Sequence, residues 1–252
     1  MDETHALPAV VSRDEWLPAR RELLAKEKQA LRAKDELNTA RRMLPMVRVD
    51  KDYRFEGPDG SVTLTDLFQG QRQLVVQHFM FHPDWAEGCG SCTAAVDELS
   101  EGLLRHLRAR GTTYAVIARA PWGKLTAYGK KRGWSVPMFS SFGSEFNYDF
   151  NVTIDAAKAP VQFNYRGPEE LRAAGFEWML NEDEQPMEQP GMSCFLRSGD
   201  DVFHTYSTYG RGTEQTGGAY GILDMTALGR QEEWEEPKGR PETRRGPVPD
   251  FS

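Results

Sequence analysis

Phe79-Met80-Phe81-His82-Pro83-Asp84-Trp85-Ala86-Glu87-Gly88-Cys89-Gly90-Ser91-Cys92 is the stretch from which the rest of the chain is read. An apolar, strand-like run from Leu74 to Phe81 enters a turn. Two cysteines three apart follow, and then a helical pattern. Strand, turn, Cys-x-x-Cys and helix, in that order, are the signature of a redox site. Cys89 falls just before the first helical turn. There, unpaired backbone N–H groups and the positive end of the helix dipole favour a thiolate, which is the reactive form of the side chain. Cys92, one turn on, is placed to reach back and close a disulfide. Two cysteines at this spacing also bind metals, so that alternative stays open.

Working back from this stretch, Gly70 breaks the chain and Ser61 to Phe68 precedes it. Val47, Val49, Tyr53 and Phe55 predict a strand, with a turn at Gly57-Pro58-Asp59-Gly60. Pro45 ends a long helix that starts at the capping-box pattern Ser12-Arg13-Asp14-Glu15 and runs to about Met43. Its apolar positions are sparse: Trp16, Leu17, Leu23, Leu24, Ala30, Leu31, Leu37 and Ala40. They predict one buried stripe, packed on the same domain or on another subunit, which would make a homo-oligomer through this helix.

Working forward, a single helix is predicted from Cys92 to about Arg110, with Val96, Leu99, Leu103 and Leu107 on one apolar face. Gly111 stops it. Tyr114 to Ala118 reads as a short buried strand, and Pro121-Trp122 opens a helix that ends near Gly133. This alternation of strand and helix implies a parallel sheet with covering helices. Trp134 to Phe150 is aromatic and lacks a helical period. Residues 155–190 read as a charged insertion. Strands on either side of Gly199-Asp200-Asp201 make a hairpin. Thr226 to Gln231 is expected to form a last short helix. The chain thus divides into an arm and helix (1–44), a main domain (45–231) and a tail (232–252).

Composition narrows the function. The 252 residues are 39% hydrophobic and 27% charged, enough for a sizeable core and a well-solvated surface. A net charge of −7 argues against nucleic acid as a partner. Mean hydropathy is −0.62, and the apolar runs are too short to span a bilayer, so no membrane partner is expected. Met1-Asp2-Glu3-Thr4-His5 lacks the basic and apolar segments of a secretory signal, which predicts a cytoplasmic protein. Three cysteines cannot build a disulfide framework; one close pair in a reducing compartment points to redox or metal chemistry.

Four segments carry a resemblance that covers most of the chain. They are Pro83-Asp84-Trp85 leading into Cys89-x-x-Cys92, Phe146-Asn147-Tyr148-Asp149-Phe150, Phe203-His204-Thr205-Tyr206-Ser207-Thr208-Tyr209-Gly210-Arg211-Gly212, and Leu228-Gly229-Arg230-Gln231-Glu232. In these the chain resembles a bacterial family of thioredoxin-like proteins described as predicted dithiol–disulfide isomerases or oxidoreductases. The resemblance implies an α/β, thioredoxin-like (peroxiredoxin-like) sheet covered by helices, with a long N-terminal helical extension. Family members often carry Pro after the first cysteine, where this chain has Gly90. A typical thioredoxin has a proline at the start of the strand facing the cysteines; here Ser193 is nearest, with Pro190 three residues earlier.

The leading expectation is a thiol–disulfide oxidoreductase with Cys89 as nucleophile and Cys92 as resolving thiol. Its partners would be a disulfide or other oxidised substrate and an external thiol reductant, and it requires no bound cofactor. A peroxide-reducing variant belongs to the same class, but no Pro-x-x-x-Thr-x-x-Cys pattern precedes Cys89. The alternative is a copper or zinc protein, a carrier or a copper-dependent oxidase, using Cys89, Cys92 and either His204 or His82. A third reading is a non-catalytic interaction module. Trp85, Tyr148, Ser193, Cys194 and Tyr206 are the candidates to face a substrate. His204 shares a strand face with Val202 and Tyr206. Asp84 and Glu87, just before the pair, carry charge that would oppose the thiolate, but residues so placed are more often solvated parts of the turn.

Overall fold

The computed structural model describes residues 8–216 and Gly218, and these fall into two compact units, 8–45 and 46–218. The first unit contains helix α1, Arg13–Arg42. Ser12 caps it as the sequence predicts: Glu15 N–H donates to Ser12 Oγ (3.3 Å) and Ser12 N–H donates to Glu15 Oε2 (3.0 Å). Within the single chain the expected stripe is not buried. No residue of α1 is buried, and Trp16, Leu23, Leu24, Leu31 and Leu37 are all exposed. No helix among the described residues is long and apolar enough to cross a membrane.

The second unit is built on an eight-stranded sheet. In chain order its elements are β1 (Val47–Arg48), β2 (Arg54–Gly57), β3 (Gly60–Thr63), β4 (Gln73–His78), α2 (Gly90–Asp97), α3 (Glu101–Arg108), β5 (Thr112–Ala118), α4 (Trp122–Arg132) and β6 (Met138–Ser140). Then come α5 (Phe146–Asp149), β7 (Thr153–Ile154), α6 (Pro168–Ala173), β8 (Met187–Glu188), β9 (Gly191–Ser198) and β10 (Asp201–Tyr209). The strand order is β1-β10-β9-β4-β5-β6-β2-β3, and β7 and β8 pair separately. β4, β5 and β6 run parallel, while β9 lies antiparallel to β4 and β10 antiparallel to β9. Two parallel strands with a helical crossover, continued by an antiparallel hairpin on the other side of β4, make this a thioredoxin-like sheet.

Period-two alternation divides the core between the two sheet faces. Leu74, Val76, Ala115, Ile117 and Phe195 join Phe55, Phe68, Phe146 and Phe150 on one face. Val116, Ala118, Phe79 and Phe81 join Cys92, Val96 and Leu125 on the other. The cysteine helix α2 therefore packs on the second face, and α5 on the first.

Two expectations change. The helix predicted from Cys92 to Arg110 is two helices, because Ser100 caps a new start, its Oγ accepting from Leu103 N–H (3.1 Å). The break turns Leu104 inward and leaves Leu103 exposed. The hairpin forms at Gly199, which takes φ +62° in the turn. Its register decides which of its residues reach the edge that leads to the cysteines. His78, the end of β4, pairs with Gly191, and Gly191 with Tyr209; His204 pairs with Phe195, which pairs with Leu74. His204 thus lies four residues back along β4, roughly 13 Å from the edge that leads to the cysteines. Thr226 to Gln231 and the 232–252 tail lie outside the described residues.

Candidate active site around Cys89 and Cys92

β4 runs out into the loop that carries the pair. Phe79 N–H still donates to Ile117 C=O (2.8 Å), extending the ladder by one residue. The loop then closes on itself, because Cys89 N–H donates back to Met80 C=O (2.9 Å). Within it, His82 Nδ1 accepts from Asp84 N–H (3.1 Å), His82 C=O accepts from Trp85 N–H (3.1 Å), and Lys124 Nζ of α4 donates to Pro83 C=O (2.6 Å). Gly88 packs against the ring of Phe79: a Cβ there would sit 2.4 Å from Phe79 Cζ. That contact explains the glycine immediately before the first cysteine.

Cys89 is the N-cap of α2, extended at φ −55° and ψ 130°, and partly exposed; Cys92 is buried in the first turn. Neither is in a disulfide. The Cys92 thiol donates a hydrogen bond to the Cys89 sulfur and is the largest influence drawing the Cys89 thiol down to about 5. Partial burial opposes this, and the backbone N–H groups of Cys92 and Ser91, with the Ser91 hydroxyl, add to it. Cys92 moves the opposite way, well above the ordinary thiol range, because it is hydrogen-bonded to Cys89, buried and next to that negative charge. The result is one thiolate at the surface and one protonated thiol beneath it. A thiolate so placed can attack an electrophilic sulfur, and the second thiol is positioned to follow.

Asp84 and Glu87 are solvated residues of the turn and do not oppose the thiolate. Asp84 is 90% exposed, Glu87 is ion-paired with Lys131 (2.7 Å), and neither is among the groups that set the Cys89 thiol.

His82 holds the loop and is pushed down by burial and then by the charge of Arg119, with Asp84 opposing and Lys124 adding to the fall. His204 is not at the site. Its Nε2 bonds Ser207 Oγ (2.7 Å) and its ring lies against Phe150 and Phe195 on the face opposite Cys92. Among the described residues no three His, Cys, Asp or Glu side chains converge on one point suited to a metal ion. The three-ligand set of Cys89, Cys92 and His204 or His82 is therefore not assembled.

The candidates for facing a substrate separate. Trp85 is exposed at the loop, its ring 6.1 Å from that of His82. Tyr148 sits beside the end of β5, where its hydroxyl accepts from Arg119 Nη1 (3.2 Å). Ser193 does not face the cysteines: it is fully buried, bonding His78 Nε2 (2.8 Å) and Ser207 Oγ (2.7 Å) on the opposite face. Cys194 and Tyr206 pair with each other, level with Val75 in mid-strand and short of the sheet edge.

Two groups were not singled out in the sequence. Arg119, at the exit of β5, is nine-tenths buried and binds Glu188 (2.6 Å), which also accepts from Thr153 Oγ1 (3.1 Å). A charged residue directly after a buried parallel strand was the available signal, since the carboxyl ends of such strands line clefts. Thr93 and Tyr128 bond each other (2.9 Å) beneath Cys89, and nothing in their spacing marks them.

The family model for a bacterial protein of unknown function (DUF899) matches residues 5–245. The chain belongs to that family. Among curated proteins no relative matches it. Similar solved structures include a cysteine-to-serine mutant of PrxQ from Xylella fastidiosa, at 10% identity and TM-score 0.42, covering 68% of this chain and 90% of that one. Peroxiredoxin Q from Xanthomonas campestris matches at 12% identity and TM-score 0.42, covering 66% and 86%. Peroxidoxin BcpB from Mycobacterium tuberculosis matches at 12% and 0.41, covering 69% and 93%. Likeness of this degree says nothing of function; the fold rests on strand order and register.

Proposed function

We propose that the protein is a thiol–disulfide oxidoreductase of the cytoplasm. The observation that supports this most is the division between the two sulfurs: Cys89 a partly exposed thiolate at a helix N-cap, Cys92 a buried, protonated donor to it. Cys89 attacks one sulfur of a substrate disulfide, forming a mixed disulfide and releasing the other half as a thiolate. Cys92 loses its proton and attacks the Cys89 sulfur, forming Cys89–Cys92 and releasing the second half as a thiol. Two electrons pass to the substrate. An external thiol reductant returns the pair to its reduced state.

A trapping experiment separates the two roles. Reduced wild-type protein mixed with a small aromatic disulfide should release two equivalents of thiol and finish with Cys89–Cys92 joined. Cys92→Ser should stop at a stable one-to-one adduct on Cys89 and release one equivalent. Cys89→Ser should do neither. An adduct on Cys194 in the wild type, or a wild type that stops at the adduct, would contradict the proposal.

A further inference from the structure

The Cys89 carbonyl accepts two hydrogen bonds from one residue. Thr93 N–H donates to it (2.9 Å) as the first helical bond of α2, and Thr93 Oγ1 donates to it as well (2.9 Å). A threonine hydroxyl has one proton, and a carbonyl can only accept, so that proton is committed to Cys89. Thr93 Oγ1 also lies 2.9 Å from Tyr128 Oη. The Thr93 oxygen must accept there, and the Tyr128 phenol must donate. The direction of the chain is thereby fixed: Tyr128 O–H to Thr93 Oγ1, and Thr93 O–H to the Cys89 carbonyl. Bonds aligned in this way polarise and strengthen one another.

The anchor of this chain lies on a different element. Tyr128 belongs to α4, and its ring is held by Phe81, Trp134 and Phe79, with centroids at 5.3, 5.6 and 6.2 Å. The same ring closes over Gly88, on the other side of the cysteine, 3.5 Å from where a Cβ would be. Tyr128 therefore braces the backbone both before and after Cys89, from a helix that carries no sulfur.

We propose that Tyr128 is a positioning residue for the Cys89 turn. Through Thr93 it holds the Cys89 carbonyl, and so keeps the N–H groups of Ser91 and Cys92 directed at the Cys89 sulfur. This rests on the thiol–disulfide reading for its purpose, but its test does not depend on turnover.

The test is the pH profile of alkylation of the reduced protein, with the labelled cysteine identified by peptide mapping. Tyr128→Phe keeps the ring and removes only the donor. It should raise the midpoint for Cys89 by a fraction of a unit up to about one unit, the scale of one neutral hydrogen bond acting through a relay. Thr93→Val should raise it at least as far, and Thr93→Ser, which keeps the hydroxyl, should restore the wild-type midpoint. A Tyr128→Phe protein that melts earlier but titrates with the wild-type midpoint would overturn the inference and make the bond purely structural. A wild-type midpoint in the ordinary thiol range would overturn it too, since no thiolate would then need support. If Thr93→Val does not fold, Tyr128→Phe decides alone. A low wild-type midpoint that rises in Tyr128→Phe, in a protein that turns over no disulfide, would uphold the inference and defeat the functional reading.

Discussion

At the scale of single residues, the two sulfurs are made different by position alone. Cys89 has four donors available because it precedes a helix: the Cys92 thiol, the N–H groups of Ser91 and Cys92, and the Ser91 hydroxyl; Cys92 has burial and a negative neighbour because it lies inside the first turn. This difference was legible from the spacing, since strand, turn and helix fix which sulfur is outside. The largest influence on Cys89 is the Cys92 thiol rather than the helix end, and spacing does not reveal that. A substitution follows from it. Cys92→Ala removes the donor and should raise the alkylation midpoint of Cys89 from about 5 towards the ordinary thiol range, whereas Cys92→Ser keeps a donor and should raise it less. The sign is set by which form reacts: the thiolate is lost as pH falls through the midpoint, so reactivity at pH 6 should drop sharply in Cys92→Ala. Equal reactivity of the two variants at pH 6 would show that the thiol hydrogen bond is not the controlling contact. His204 shows the opposite lesson. Its neighbours in sequence are aromatic and invite a site, yet the ring is spent on Ser207 and two phenylalanines.

At the scale of elements, local patterns located β4, the β9–β10 hairpin and α4, while register and breaks escaped them. The hairpin could be read from Gly199-Asp200-Asp201. Which of its ends meets the cysteine edge depends on pairing with β4, and that is a long-range property. Ser100 had the chemistry of a cap, but an unbroken apolar period concealed the restart at α3. The loop between β4 and α2 makes its own demand at Gly88, where the Phe79 ring occupies the place of a side chain. Phe79 is buried to within 1% of full cover, so the ring has little room to yield. Gly88→Ala should therefore lower stability by about 1–3 kcal/mol, as overpacking does in a closed core. It should also slow alkylation of Cys89, because the displaced backbone carries the sulfur with it. Chemical unfolding together with the labelling rate checks both. Unchanged stability would mean that the loop has slack the contact does not show.

At the scale of the molecule, two neighbouring strand exits meet at the loop that carries the pair, where the charge of Arg119 acts on His82. The β4 exit supplies the loop, the β5 exit supplies Arg119, and Glu188 ties the chain entering β9 to that arginine. The parallel sheet was legible because a buried strand, a cysteine helix and a second buried strand follow in order and permit few topologies; its thioredoxin-like character came from the resemblance of four segments. Glu188 was not, since a lone glutamate in a charged stretch (155–190) gives no sign that it is buried under a guanidinium 69 residues away. α1 contributes no buried residue and stands outside this account of the chemistry. What unites the rest is the claim that Cys89 and Cys92 form one two-electron couple. The most direct test is equilibration in thiol–disulfide buffers of graded potential, followed by acid quenching, alkylation and mapping. The account predicts that two thiols disappear together as Cys89–Cys92, with a tenfold change in ratio for about 30 mV, while Cys194 remains alkylatable throughout. A disulfide that includes Cys194, or a Cys89 that takes up only single buffer adducts while Cys92 stays free, would contradict it.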